Sequence, residues 1–400
     1  MAHNKNQHFV PQFYLRNFAA DPDRKSVNLL NLSRAKLIER ASIRNQCSRD
    51  YWHGEYDEAF EESIKKLEGL SASIIKACLL TDEIQRLRHL KTFLSFQLGR
   101  TAFAAEAFAE SRAKMYELAY RQPANENKVD PVHMIALQAL GAPILLDLAA
   151  CFVVNKSPVE FVTSDNPVAL SNWWFRHIHR QRPGSGIGLA QAGLEVYFPL
   201  SPRHQLVLYD RNIWSVPKAN SVGTIYLRNK DDVAALNERQ VLNAQHNVYF
   251  ASVDTAEHVL ALLQACRERR RAEKVRVTEW VPSKAHPRRF VQPGTSEAAV
   301  TETRSSLIST EANAIEPARR VTLFSKRHVP RYDEHPSVAG AFRDLAWLQI
   351  VEDFRDAVHK RKAQLSDLDD FAGAHPLMHK VRAWKYEFWD EVKVARASRS

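Results

Sequence analysis

The stretch from Met134 to Val154 constrains the fold more than any other part of this chain. It is mostly apolar over about twenty residues, close to the length a bilayer requires. It also contains Gln138, Gly141, Pro143 and Asp147, and it ends in the strand-like Cys-Phe-Val-Val of 151–154. A carboxylate near mid-span is costly in hydrocarbon. The stretch therefore reads as a buried core helix running into a strand, and the chain as a soluble globular protein.

Composition bounds the rest. The 400 residues, 45% hydrophobic and 26% charged, suffice for a large core, arranged as two domains or as one domain with an appendage. The opening MAHNKNQHFV lacks the apolar segment of a secretory signal. Cys47, Cys78, Cys151 and Cys266 are far apart and form no CxxC pair. That spacing suggests neither a disulfide framework nor a cysteine zinc site, and it fits a reducing, cytoplasmic setting. The net charge of +10 favours polyanion partners, though excess charge also serves solubility. The surplus is uneven: residues 267–276 hold six basic residues against two acidic ones. Arg267, Arg269, Arg270 and Arg271 are the expected contacts for a nucleic acid or nucleotide. The solvated end of a helix accounts for the same run.

The pattern of elements predicts an α+β protein. A short helix is expected near Pro11, a position that suits the first turn, and two strands about a polar turn over 28–42. Three-and-four spacing of apolar residues predicts helices over 55–80 and, with Thr81 as cap, from Asp82 toward Tyr120, and another opening at Asp130-Pro131. Strands follow at 151–165, 196–200 and 204–210, then a helix from Asn229, the strand 247–252 and a helix over 254–271. The expected architecture is a helix-rich N-terminal half packed on a small, mostly antiparallel sheet. Composition shifts at Pro282, so the main domain is placed at 1–280, a linker at 281–320, and a C-terminal helical appendage at 321–400. Helices are expected in that appendage over 342–365 and 379–395.

The familiar signatures GxxxxGK[ST], HExxH and GxSxG are absent. The run PGSGIG at 183–188 reads as a loop, and His177 with His179 lacks an obvious third metal ligand. Chemistry is more promising in FVTSDNPVAL (161–170), where an apolar strand ends in polar residues. Asp165 there suits a general base or a ligand for a divalent metal, while an Asx-turn is the plainer account. Gln97 and Arg100 share one face of a largely apolar helix, where a guanidinium needs a carboxylate, an anion or an exposed face. Asn237 and Gln240 repeat that spacing, with Asn243 one turn on. His8, Gln12, Tyr14 and Arg16 add an imidazole and three hydrogen-bonding groups at the N-terminus.

In order along the chain stand His-Phe-Val-Pro-Gln-Phe-Tyr-Leu-Arg-Asn-Phe (8–18), Gln97/Arg100, Thr-Ser-Asp-Asn-Pro (163–167), Phe-Pro-Leu-Ser-Pro (198–202) and Asn237…Gln240…Asn243. In these motifs the chain resembles the bacterial family known as domain of unknown function 4238, over about residues 5–255. The resemblance supports the domain boundary and the motif positions and implies no activity. Three readings follow from the residues. One is a hydrolase for a phosphate-containing substrate such as a nucleotide or nucleic acid, with a conjectural defence or toxin-like role. In it His8 and Asp165 serve as acid and base, Arg100 as anion clamp, and Gln12, Tyr14, Arg16, Gln97, Asn166, Asn237, Gln240 and Asn243 bind substrate. Another is a module that binds nucleic acid or a small anion without turnover. The last is a buried hydrogen-bonded network that pins the N-terminal segment to the sheet.

Overall fold

The computed structural model describes residues 6–52, 58–120, 122, 131–178, 188–217, 219–221, 223–270, 273–285, 290–298, 307–312, 315–334 and 341–382. It is an α+β structure. The chain opens with strand β1 (Asn6–His8), helix α1 (Gln12–Leu15), the hairpin β2 (Ser26–Asn31) and β3 (Lys36–Ser42), and β4 (Ser48–Asp50), which pairs antiparallel with β1. Helices α2 (Glu58–Thr81), α3 (Leu87–Arg100), α4 (Ala102–Tyr120) and α5 (Pro131–Gly141) follow. Strands then dominate: β5 (Ala149–Asn155), β6 (Thr163–Ser164), β7 (Ala169–Ser171), β8 (Glu195–Ser201), β9 (His204–Tyr209), β10 (Trp214–Ser215) and β11 (Thr224–Leu227), with the short α6 (Trp173–Ile178) among them. Helix α7 (Lys230–Asn243), strand β12 (Asn247–Phe250) and helix α8 (Thr255–Cys266) complete this region.

Two sheets organise the core. The larger has the order β11-β5-β9-β8-β7, antiparallel except for the β11–β5 pair. The smaller, β3-β2-β12-β6, is antiparallel throughout. Side chains alternate across a strand, and both faces of β5 are buried. Cys151 and Val153 enter one hydrophobic cluster with α7 and α8, while Phe152 and Val154 enter a second with α1, α2 and α3. Double-sided burial explains why these strands read as continuous apolar runs.

Helix breaks depart from the expected pattern. Thr81 closes α2, its hydroxyl donating to the Ala77 carbonyl at 3.0 Å, instead of opening the next helix. Asp82 and Arg86 then take left-handed conformations, with φ of 58° and 46°. The run toward Tyr120 divides at Thr101, whose Oγ1 accepts the Ala104 amide at 3.2 Å and so starts α4 afresh.

The stretch 134–154 is α5, a short 3-10 turn and β5. The Asp147 side chain is buried there in a two-point ion pair with Arg343: Nε to Oδ2 and Nη2 to Oδ1, each 2.8 Å. Among the described residues no helix is long and apolar enough to cross a membrane.

Beyond α8, β13 (Val275–Pro282) pairs with β14 (Phe290–Val291) and β15 (Leu307–Ala312), so the stretch expected as a linker carries two short strands. Ile315, Val321, Leu323 and Phe324 join the cluster beneath α7. Helices α9 (Leu345–His359) and α10 (Leu368–Ala374) form a cluster of their own around Trp347, Ile350 and Phe354, joined by Leu146. Trp347 Nε1 donates to the Pro143 carbonyl at 3.2 Å, so this appendage is docked on the main body. Most of the helix expected over 379–395, with Trp384 and Trp389, lies outside the described residues.

Candidate functional site

The N-terminal segment is held in place before it contributes to a site. β1 pairs with β4, and the Phe9 amide donates to the Cys47 carbonyl at 2.8 Å. Pro11 then supplies an extended residue before the single turn of α1. From α3, Gln97 and Arg100 reach successive carbonyls of this segment. Gln97 Nε2 donates to Phe9 O at 2.9 Å, and Arg100 Nη2 donates to His8 O. Arg100 is buried, with Nη1 2.6 Å from Glu68 Oε1 of α2 and its guanidinium 4.9 Å from the Phe96 ring centre. Burial lowers its pKa, and the Glu68 carboxylate opposes that shift. The carboxylate that an arginine in an apolar helix demands is thus Glu68.

A cavity of about 370 Å³ opens between this segment and α2, within the size range of small-molecule sites. Among its lining residues are His8, Gln12, Arg16 and Arg100, with Glu61, Lys65 and Glu68 opposite. The three α2 residues recur at three-and-four spacing, which puts them on one helix face. Gln7 Nε2 donates to Glu61 Oε1 at 2.5 Å, and Lys65 Nζ is 3.7 Å from the other Glu61 oxygen. Arg16 is exposed and donates from Nη2 to Gln12 Oε1 at 3.1 Å. His8 is half-buried, with Nε2 3.1 Å from Arg44 O. Desolvation lowers its pKa, opposed by the bond to Arg44 and the charge of Glu68. Burial thus favours the neutral imidazole, an acid–base group beside two carboxylates and three cations.

Tyr14 points the other way, into the core. Its hydroxyl donates to Pro199 O at 2.7 Å and lies 2.6 Å from Thr163 Oγ1, and its ring stacks on Phe198 at 4.9 Å. Burial raises its pKa. Three motifs widely separated in sequence, at 8–18, 163–167 and 198–202, meet at this one side chain.

Asp165 belongs to a separate, closed network. Its Oδ1 accepts the Gln245 amide at 2.8 Å, and its Oδ2 accepts those of His246 and Asn247 at 2.7 and 3.1 Å. Burial raises its pKa, and the three amides pull against that shift. The amides of α7 grip the chain on either side. Asn237 receives Val162 N and donates to Glu160 O, and Gln240 receives Ser164 Oγ and donates to Pro167 O. Asn243 Nδ2 donates to the carbonyls of Asn166 and Val168, while Asn166 Nδ2 donates to Asn243 O at 3.2 Å. Together they satisfy the backbone of an irregular buried segment. None of Asp165, Asn166, Asn237, Gln240 or Asn243 lines the cavity at the N-terminal segment. Among the described residues no group of three His, Cys, Asp or Glu side chains is placed to hold a metal ion.

The basic run behind α8 is partly spent within the fold. Arg269 pairs with Glu238 at 2.8 Å and donates to Glu316 O at 2.7 Å. Arg270 Nη2 caps α7 by donating to the carbonyls of Ala244 and Gln245 at 3.1 and 3.2 Å. Arg267 is exposed, and Arg271 lies outside the described residues.

Glu61, Lys65 and Glu68 were not legible as site residues from apolar periodicity. Their common helix face, beside Ile64, was the available signal. No curated protein and no solved structure matches the chain. The family model described as protein of unknown function (DUF4238) matches residues 6–254, and with three sequence-distant motifs converging on Tyr14 inside that span, the chain belongs to this family.

Proposed function

We propose that the cavity between the N-terminal segment and α2 binds a small phosphate-bearing ligand, such as a nucleotide. The observation that carries this reading is the convergence of His8, Gln12, Arg16, Arg100 and Lys65 on one opening of about 370 Å³. Glu68 neutralises Arg100 and Gln7 occupies an oxygen of Glu61, whereas Arg16 is exposed and bonded to an uncharged amide. Arg16 and Lys65 are then the groups that meet the phosphate, by charge-assisted hydrogen bonds. Gln12 orients the ligand, and Arg100 shapes the floor through its grip on His8.

Hydrolysis of that ligand is the second reading, favoured by the half-buried His8, which lines the same cavity as Glu68 and whose neutral form burial favours. Its acid–base work falls to His8, with Glu68 in place of Asp165 as the carboxylate, since Asp165 is engaged by three backbone amides. Calorimetric titration with nucleoside mono- and diphosphates and with inorganic phosphate tests both readings. Arg16→Ala is expected to weaken a bound nucleotide by about tenfold, the loss of one charge-assisted contact of ~1.5 kcal/mol. Phosphate release that disappears in His8→Ala, with binding retained, selects hydrolysis over simple binding. An affinity that Arg16→Ala and Lys65→Ala leave unchanged removes the cavity from consideration. Binding of short oligonucleotides that depends on Arg267 instead points to the basic run.

A further inference from the structure

The Phe-Pro-Leu-Ser-Pro segment takes no part in the cavity, yet it ends in a group with the geometry of an activated nucleophile. Ser201 closes β8, and Pro202 and Arg203 turn the chain into His204, the first residue of β9. Ser201 Oγ lies 2.8 Å from His204 Nδ1, and His204 Nε2 lies 2.8 Å from Asp82 Oδ1. Asp82 comes from the link between α2 and α3, where its own carbonyl is fixed by Thr224 Oγ1 at 2.8 Å. An ionised carboxylate only accepts, so Asp82 sets the ring proton on Nε2 and leaves Nδ1 as a base toward the hydroxyl.

Hairpin stability alone does not require this chain of groups. The turn is closed by Arg203 N donating to Ser201 Oγ at 3.1 Å, a local bond that needs neither imidazole nor carboxylate. A residue more than a hundred positions away nevertheless supplies the carboxylate that orients the ring. The His204 and Asp82 side chains are 14% and 30% exposed, so the relay reaches solvent at its imidazole and carboxylate, while Ser201 is buried. Lys156 Nζ stands 3.8 Å from Asp82 Oδ2 and 5.5 Å from the centre of the half-exposed Tyr226 ring, placing a cation and an aromatic surface beside it.

We propose that Ser201, His204 and Asp82 form a nucleophilic relay that hydrolyses a small carboxylic ester. The arrangement is that of a serine hydrolase with the two ring nitrogens exchanged. Ser201 Oγ adds to the ester carbonyl while its proton passes to His204 Nδ1. The carbon–oxygen bond to the alcohol then breaks, and the alcohol leaves with that proton. Water, deprotonated by the same nitrogen, attacks the acyl-serine and releases the carboxylic acid and the free hydroxyl.

The test is labelling of the full-length protein with an alkyl fluorophosphonate, the adduct being located by peptide mass spectrometry. Expected are an adduct on Ser201, none at that position in Ser201→Ala, and labelling at least about tenfold slower in Asp82→Asn, which no longer stabilises the imidazolium. Ser201→Cys gives a second, independent reading, because all four native cysteines are buried. Its thiol, paired with His204, is expected to react with iodoacetamide at pH 6 at least about tenfold faster than a simple model thiol, as a lowered thiol pKa requires. No adduct on wild-type Ser201, undiminished labelling in Asp82→Asn, or a Ser201→Cys thiol of ordinary reactivity would each overturn the proposal and leave the three groups as a brace for the hairpin.

Discussion

Replacing Arg343 with alanine should release the C-terminal helices from the body at a cost that can be worked out from its contacts. Its guanidinium is 2% exposed and makes two 2.8 Å bonds to Asp147, one of 2.8 Å to Ile144 O and one of 3.2 Å to Gln191 O. Truncation leaves a carboxylate that is 5% exposed without its counter-charge. Breaking a buried pair from one side costs about 3–5 kcal/mol, and the orphaned carbonyls push the figure toward the upper end. The cost should depend on pH. Burial already pushes Asp210 up to about 6, against the pull of Arg343. Without the cation, the folded-state pKa of Asp210 rises further above its unfolded value. The folded mutant then binds more protons than the unfolded chain, so its deficit is larger at pH 8 and shrinks toward pH 5. Urea unfolding of the wild type, Arg343→Ala, Asp147→Ala and the double variant supplies the cycle. The double variant should be little worse than either single one, because each alone already destroys the pair. A single-variant cost below about 1 kcal/mol, or strict additivity, would refute the claim that this pair docks the appendage.

Other expectations follow from the same structure. Burial raises Glu195 to about 7, opposed by Arg239 and by a bond from Tyr197 OH at 2.7 Å. A carboxyl raised in this way contributes stability that is present below its unfolded pKa and lost as pH climbs to about 7. Glu195→Gln should therefore flatten the pH dependence of unfolding between pH 5 and 8 by about 3 kcal/mol, measured in urea. Asp165→Ala strands three amide donors and should cost about 3 kcal/mol or more of stability; if the folded variant instead loses ligand binding with its unfolding midpoint intact, Asp165 belongs to a binding site. Asn243→Ala removes the donor to two buried carbonyls and should cost about 1–3 kcal/mol in the same assay. His8, lowered by burial, should titrate below free histidine in a proton NMR experiment, and the stability it contributes should fall as pH drops through that lowered value.

The fold was legible where side-chain spacing decides it. The β2–β3 hairpin, the β8–β9 pair and helices α7 and α8 follow from periodicity and turn residues. Helix breaks were less so, because Asp82 and Arg86 adopt positive φ without glycine; aspartate tolerates that region better than most residues, but the arginine side chain does nothing to announce it. The division at Thr101 had a local signal, a threonine able to cap, but the apolar pattern ran through it. The stretch after Pro282 is poor in large apolar residues, yet it contributes β14, β15 and the buried Ile315. Strand pairing with β13 and two carboxylates of α7 hold the neighbouring chain: Asp232 accepts Thr322 N at 2.6 Å, and Glu238 accepts the amides of Ala318 and Arg319 at 3.2 and 3.1 Å. Composition does not reveal partners of that kind.

For the site, residue type alone did not separate recognition from scaffolding. A buried amide that grips a carbonyl and a buried amide that grips a ligand look alike in sequence, because both answer the same demand that a desolvated polar group be paired. Asn237, Gln240 and Asn243 meet that demand along the 160–168 segment, and Gln97 and Arg100 meet it along 8–9. These placements commit hydrogen-bonding groups that a ligand would otherwise meet, although Gln97 Oε1 is left without a partner among the described residues. Arg16 is different in kind: a cation kept at the surface of a cavity, its guanidinium tied among the described residues only to the neutral Gln12. His204 is different again, since its two ring nitrogens join a hydroxyl to a carboxylate drawn from another element, an order of groups that bracing a turn does not require. Under the proposed readings, a polar side chain kept at an accessible edge, as Arg16 is, is therefore a stronger functional candidate than one committed to backbone in the interior.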